Sequence, residues 1–227
     1  MTGKELIFAG LVAFLSSSMA TLGSETISVA LPEGVSSSDV SLTAGPEGCD
    51  LVVVRNPVSN LTVTATGTKP TGITGLKVSD STVNATPAAG QTAVVAIETT
   101  VFKDSEINNN GAGSLDVEVL AGKVKGSSIN SGGSNDSVSF GSSTKLKNTT
   151  VSLGGGKDTV TFGKGTKIKK GVEIELGGKK NTVVIETTKG LKNLTVTGIT
   201  KKDKFTVGGE DFTGTEAKNG EAGFEVG

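Results

Sequence analysis

Two sets of reactive side chains recur along this chain at an almost fixed interval. Lys103, Lys125, Lys147, Lys169 and Lys192 lie 22, 22, 22 and 23 residues apart, and Asp136, Asp158, Asn181 and Asp203 lie 22, 23 and 22 apart. A file of ammonium groups is equipped to hold an anion. A file of Asp and Asn is equipped to accept hydrogen bonds from backbone N–H groups at bends. Catalysis is less well provided for. Glycoside cleavage needs two carboxyl groups converging about 5–9 Å apart. Glu173 and Glu175 are instead two apart in sequence, as on any solvated strand face. The chain has no His, which removes the commonest general base and metal ligand. The GGGK run at 154–157 is not followed by Ser or Thr and stands among strand-like residues, so it does not read as a phosphate-binding loop. These features predict a protein that is not an enzyme.

The elements that must position these residues follow from the same period. The lysines sit in FKDSEIN (102–108), VKGSSIN (124–130), LKNTTVS (146–152), IKKGVEI (168–174) and LKNLTVT (191–197). Each residue of the Asp/Asn set opens an alternating run: DSVSF, DTVTF, NTVVI and DKFTV. Alternation of Ser or Thr with apolar residues, bounded by Gly, Asn and Asp, predicts short strands with one buried face. A repeat of 20 to 50 residues predicts a solenoid, whose turns bury their apolar faces against one another. The expectation is an all-β chain, a parallel β-solenoid with coils of about 22 residues, preceded by a short apolar helix. The pattern extends more loosely upstream through LDVEV (115–119), VVAI (94–97), VSDSTVN (78–84), LVVV (51–54) and VSNLTVT (58–64). Six or seven coils spaced about 4.8 Å apart would form a rod on the order of 30 Å long. The expected organisation is an apolar N-terminal anchor helix or signal-like segment at 1–22, a β region or cap at 23–75, solenoid repeats at 76–207 and an acidic Gly-rich tail at 208–227.

Within the first segment, Lys4, IFAGLVAFL (7–15) and SSSMA (16–20) fit either a secretory signal cleaved after Ala20 or a retained helix docked on another subunit. About ten apolar residues are too few to cross a bilayer, so no transmembrane span is expected. Cys49 is the only cysteine. It can form no intrachain disulfide, reads as a small core residue, and leaves the redox compartment open.

The net charge of −1 hides a strong asymmetry: residues 1–119 carry 5 basic and 12 acidic groups, 120–204 carry 16 and 6, and 205–227 carry 1 and 5. A basic body between acidic ends predicts an anionic partner or self-complementarity. Strand parity places Phe102, Val124, Leu146, Ile168 and Leu191 inward and the neighbouring lysines outward. The file then reads either as a solvated, aggregation-resistant face or as a binding face for an anionic host-surface polysaccharide, lipid headgroup or acidic protein. Arg55 is the only arginine, and Trp and Tyr are absent. Nucleic acid is therefore not an expected partner.

The stretch GGGKDTVTF (154–162) resembles the calcium-binding nonapeptide of RTX β-rolls, with Gly154, Gly156, Asp158 and Val160 at matching places and Gly132, Ser134, Asp136 and Val138 a partial second copy. The resemblance implies calcium held between turns by aspartates, here Asp136, Asp158 and Asp203. Leu153 and Ser131 stand where the family has glycine, and Asn181 interrupts the carboxylates. An uncharged-tolerant Asx ladder capping each bend is the preferred reading, with no cofactor. The outward Ser137/Ser139 and Thr159/Thr161 pairs resemble the hydroxyl ladders of ice-binding solenoids, but Val184 breaks the row. The coil length is similar to that of polysaccharide-cleaving β-helix enzymes, a further alternative. As a whole, an apolar start, a basic shaft and an acidic tail resemble phage virion proteins of the capsid-decoration, spike or fibre type. That resemblance implies a homo-oligomer, a trimer among the expected forms, contacting capsid or other virion proteins and located at the virion surface. The competing expectation is a secreted or cell-surface protein.

Overall fold

The computed structural model describes residues 5–6, 27–31, 33–35, 39–44, 50–68 and 70–227. The fold is a parallel β-solenoid with three faces per coil, almost without helix. The first face stacks seven parallel strands: Thr62–Thr66, Thr82–Thr86, Glu106–Asn109, Ser128–Asn130, Thr149–Ser152, Val172–Glu175 and Leu194–Thr197. The second face runs from Asp50–Val54 through the start of Thr71–Ser79, the first half of Thr92–Lys103, Ser114–Val119, Ser137–Phe140, Thr159–Phe162 and Thr182–Ile185 to Lys204–Val207. The third face is shorter: Val58–Ser59, the ends of the two long strands, Lys123–Lys125, Lys145–Lys147 and Lys167–Ile168. Residues 50–66, expected in the N-terminal region, already wind as solenoid.

Register is exact in residue type. Val63, Val83, Ile107, Ile129, Val151, Ile174 and Val196 pair in succession along the first face, and all are buried. Phe102, Val124, Leu146 and Ile168 do the same on the third. On the second, Val138, Val160, Val183 and Phe205 lie beside Phe140, Phe162, Ile185 and Val207, and the Phe140 and Phe162 rings stack at 5.2 Å. Burying β-branched and aromatic side chains in stacked files gives each coil its stabilisation only in contact with its neighbours.

Irregularities in the period have local causes. Thr149 pairs with Val172, 23 residues on, while Leu146 pairs with Ile168, 22 on, so the extra residue is absorbed at the corner 169–171. Thr82 pairs with Glu106, 24 residues on, because the turn Pro87–Gln91 is longer there. The corner between the third and first faces requires left-handed backbone, and it is occupied in succession by Asn60, Asp80, Asp104, Gly126, Asn148 and Gly171. These are the residue types that reach positive φ at least cost.

Both ends are closed. Ile27–Ala30 pairs antiparallel with Thr62–Thr66, and Val40–Ala44 antiparallel with Asp50–Val54. At the other end Glu210–Thr213 folds back on Lys204–Val207, the helix Gly214–Lys218 starts with a Thr213/Glu216 capping box, and Glu225–Val226 adds to the first face. Ala217, Ala222 and Phe224 are buried there. Antiparallel strands block further parallel stacking on the second face at both ends and on the first face at its N-terminal end, while the parallel Glu225–Val226 shortens the first face's other edge to two residues. Of the expected N-terminal helix, Glu5–Leu6 forms a two-residue strand against Val29 and Ala30. The remainder of that expectation, and Cys49, lie outside the described residues. Among the described residues no helix is long and apolar enough to cross a membrane.

Candidate functional site

The third face carries the chain's densest charge. Lys103, Lys125 and Lys147 pair in register, and Lys169 continues the file through its N–H, which donates to the Leu146 carbonyl. The sequence reading missed a second file beside it: Lys123, Lys145 and Lys167, also in register. Its signal was visible as KVK, KLK and KIK at 123–125, 145–147 and 167–169. All these side chains point away from the core. Two ammonium groups at about 5 Å in water repel by about 0.8 kcal/mol. Four lysine pairs are in register, so their ammonium groups repel one another weakly, and less still as the side chains splay and salt screens them. Within this face only Lys103 has an ion-pair partner, Asp104, whose carboxylate raises the Lys103 pKa.

Lys192 departs from expectation. The spacing makes it the fifth member of an extended strand file, but Leu191–Asn193 is a single 3-10 turn following Gly190 in left-handed conformation. A Cβ at Gly190 would lie 2.3 Å from the Ile168 carbonyl oxygen. The chain crosses the end of the third face at that point, and the Asn193 amide donates to the same carbonyl at 3.3 Å. Lys192 is exposed at this lid and does not stack on Lys169.

The Asp/Asn file lies inside, at the corner between the first and second faces. Asp136, Asp158, Asn181 and Asp203 are each at most 3% exposed. The expected ladder exists, but the Oδ1 bonds that build it run between coils, and only Asn181 and the terminal Asp203 also bond within their own bends. The Leu115 N–H donates to Asp136 Oδ1 at 2.7 Å, the Asp136 N–H to Asp158 Oδ1 at 2.9 Å, the Asp158 N–H to Asn181 Oδ1 at 3.0 Å and the Asn181 N–H to Asp203 Oδ1 at 2.7 Å. Neighbouring strands end at this corner, so these N–H groups would otherwise be buried without partners. Asp203 also accepts from the Thr200 N–H and hydroxyl through Oδ2, and Asn181 donates from Nδ2 to the Leu176 carbonyl at 2.9 Å. Asp136 Oδ2 and Asp158 Oδ2 have no hydrogen-bond partner. Burial raises both carboxyl pKa values, that of Asp136 to about 6. The Leu115 N–H and the nearby Ser131 hydroxyl oppose the rise at Asp136, and the charge of Asp158 adds to it.

Calcium does not fit this file. Each coil supplies one Asx side chain, its Oδ1 is committed to a backbone donor, and one of the four is Asn. Six to eight oxygens cannot converge from such a row. Among the described residues no three acidic, His or Cys side chains form a metal-binding group.

A second side-chain ladder, at the corner between the third and first faces, escaped the sequence reading. The Leu61 N–H donates to Ser81 Oγ, the Ser81 N–H to Ser105 Oγ and the Ser105 N–H to Ser127 Oγ, at 3.0, 3.1 and 3.3 Å. These serines fall two residues after the third-face strands end and directly after the left-handed corner residues Asp80, Asp104 and Gly126, and in sequence they resemble ordinary surface Ser. Glu173 and Glu175 project outward on the first face, opposite Thr150 and Ser152, and the Ser152 hydroxyl donates to Glu175 at 2.6 Å. Their neighbours across the strands are hydroxyls, not a second carboxylate on a facing wall.

Taken together, these elements define a capped, three-faced β-solenoid with one basic face. Comparison with protein-family models, curated proteins and solved structures returns no match to this chain.

Proposed function

We propose that this chain is a non-enzymatic structural rod that works through its outer faces, and that it serves as an oligomeric virion surface component of the capsid-decoration, spike or fibre type. The observation carrying this reading is the file of apolar side chains stacked in register over seven strands of the first face, in a solenoid capped at both ends. Such a body is stiff along its axis, cannot extend end to end through free parallel edges, and presents flat files of repeated side chains to a surface. The apolar segment at 7–15 supplies the attachment to capsid or to further copies.

Mass spectrometry of purified particles and of culture supernatant from the source cells tests the reading. Peptides from residues 1–20 recovered on the particles, at many copies per particle, support it. A protein found only in the supernatant with a new N-terminus at Thr21 overturns it in favour of secretion.

A further inference from the structure

We infer that the third face is a docking surface for a linear acidic polysaccharide lying along the rod axis. This deepens the reading of the chain as a rod that meets a surface, and it rests on that reading. Three observations carry it. First, Lys123, Lys145 and Lys167 form one file and Lys125, Lys147 and Lys169 a second beside it. The spacing is about 4.8 Å between coils and about 6.6 Å along each strand. The result is a two-column lattice of cations on rigid backbone, which binds a repeating anion with little ordering cost. Second, no acidic residue of these three coils answers it on the same face. The one neutralised member, Lys103, lies a coil earlier, beside Asp104.

Third, the chemistry next to the lattice suits sugar. Across the corner, the first face presents Ser128 and Asn130, then Thr150 and Ser152, outward and in register, and only in the last of the three coils do carboxylates, Glu173 and Glu175, follow in the same row. A polymer resting on the lysines thus meets hydroxyl and amide groups able to exchange hydrogen bonds with its own hydroxyls. A nucleic acid would find no aromatic platform, since Phe102, Phe140, Phe162 and Phe205 are all in the core, and no arginine fork. A membrane would find lysines outward on the strands of this face and one exposed leucine, Leu120, at the adjoining corner, too little apolar surface to enter its interface.

Binding of polygalacturonate to the purified full-length protein by calorimetry, at 50 and 200 mM salt, tests the inference. Neutral dextran, oligothymidylate and phosphatidylserine vesicles serve as comparison probes. Wild type should bind polygalacturonate more tightly than any of the other three, and more weakly at the higher salt. Lys125→Gln with Lys147→Gln should weaken binding about tenfold and flatten its salt dependence by about two charges. Lys201→Gln with Lys202→Gln, in an exposed turn off the face, should leave it within about twofold. The melting temperature of each variant reports that the fold is kept. No binding at 50 mM salt, equal loss in both double variants, or oligothymidylate or vesicles bound as tightly as polygalacturonate would each overturn the inference. Because the assay uses isolated protein, such a failure leaves the particle-association test untouched.

Discussion

Replacing Asp136 by Asn should stabilise this protein at neutral pH, although it removes a buried charge that accepts a hydrogen bond. Asp136 is 3% exposed, its Oδ1 accepts from the Leu115 N–H, and its Oδ2 is buried without a partner. Its folded-state pKa of about 6 lies above the ordinary 3.8, so the folded chain holds the proton more tightly than the unfolded chain does. The stabilising effect of that proton is complete below the unfolded value. It is lost as pH rises from about 4 to about 6, leaving a cost of about 3 kcal/mol above that window. Asn retains the Oδ1 acceptor without the charge. Its Nδ2 would lie where Asn181, two coils on, donates to the Leu176 carbonyl; the matching carbonyl in the Asp136 coil belongs to Ser131, which already accepts from Asn109 Nδ2 at 2.7 Å and has its second lone pair to offer. A neutral acceptor loses about 1 kcal/mol of the Leu115 bond. The net gain at pH 7 is then about 1–2 kcal/mol, or about 2–8 °C in melting temperature for a chain of this size. Urea denaturation of wild type and variant between pH 4 and 8 provides the assay, and the difference between the two curves removes the contribution of carboxylates that do not interact with Asp136, leaving its own and its coupling to Asp158. That difference should open between pH 4 and 6 and stay constant above. Parallel curves across the whole range, or a variant less stable at pH 7, would refute the reasoning.

Further substitutions probe the inside, the outside and the corners. Val160→Asp puts a carboxylate at a 0% exposed position and should leave no folded protein by circular dichroism, an effect above about 4 kcal/mol. Lys147→Glu faces Lys125 on the surface and should change stability by no more than about 1 kcal/mol in urea denaturation, toward greater stability. Gly154→Ala would place its Cβ 1.8 Å from the Gly132 carbonyl oxygen at φ +71°. Denaturation should show a cost of about 2–5 kcal/mol, against about 1 kcal/mol for Gly90→Ala, where nothing lies within 4 Å. Calcium or a chelator should move the melting temperature by less than about 1 °C in differential scanning fluorimetry.

The coil length, the strand parity and the inward files were legible because a large apolar residue recurs at each inward position. Phe140 and Phe162 in DSVSF and DTVTF announce the same pocket twice. The third-face lysine file was legible for the same reason up to Lys169, and failed at Lys192. There the motif LKNLTVT preserves the spelling of a strand, while Gly190 and the absence of a further coil beyond it turn the backbone into a 3-10 lid. Composition cannot register that a repeat is the last one. The Asx file was visible, but not the destination of its hydrogen bonds, because period alone does not say whether a side chain turns to its own bend or to the coil before. The serine ladder was hidden by chemistry: Ser105 and Ser127 look like exposed strand residues, and only three-dimensional corners reveal that they are buried.

Both internal ladders point one way. Asp136, Asp158, Asn181 and Asp203, like Ser81, Ser105 and Ser127, each satisfy an amide of the winding made before them. During synthesis a nascent winding therefore keeps unanswered donors at two of its three corners until roughly another twenty-two residues have emerged behind it. Truncation inherits the same polarity. Shortening from the front strands acceptors that water can serve, whereas shortening from the back orphans amides just beneath the new end, so the molecule should tolerate loss of its first windings better than loss of its last.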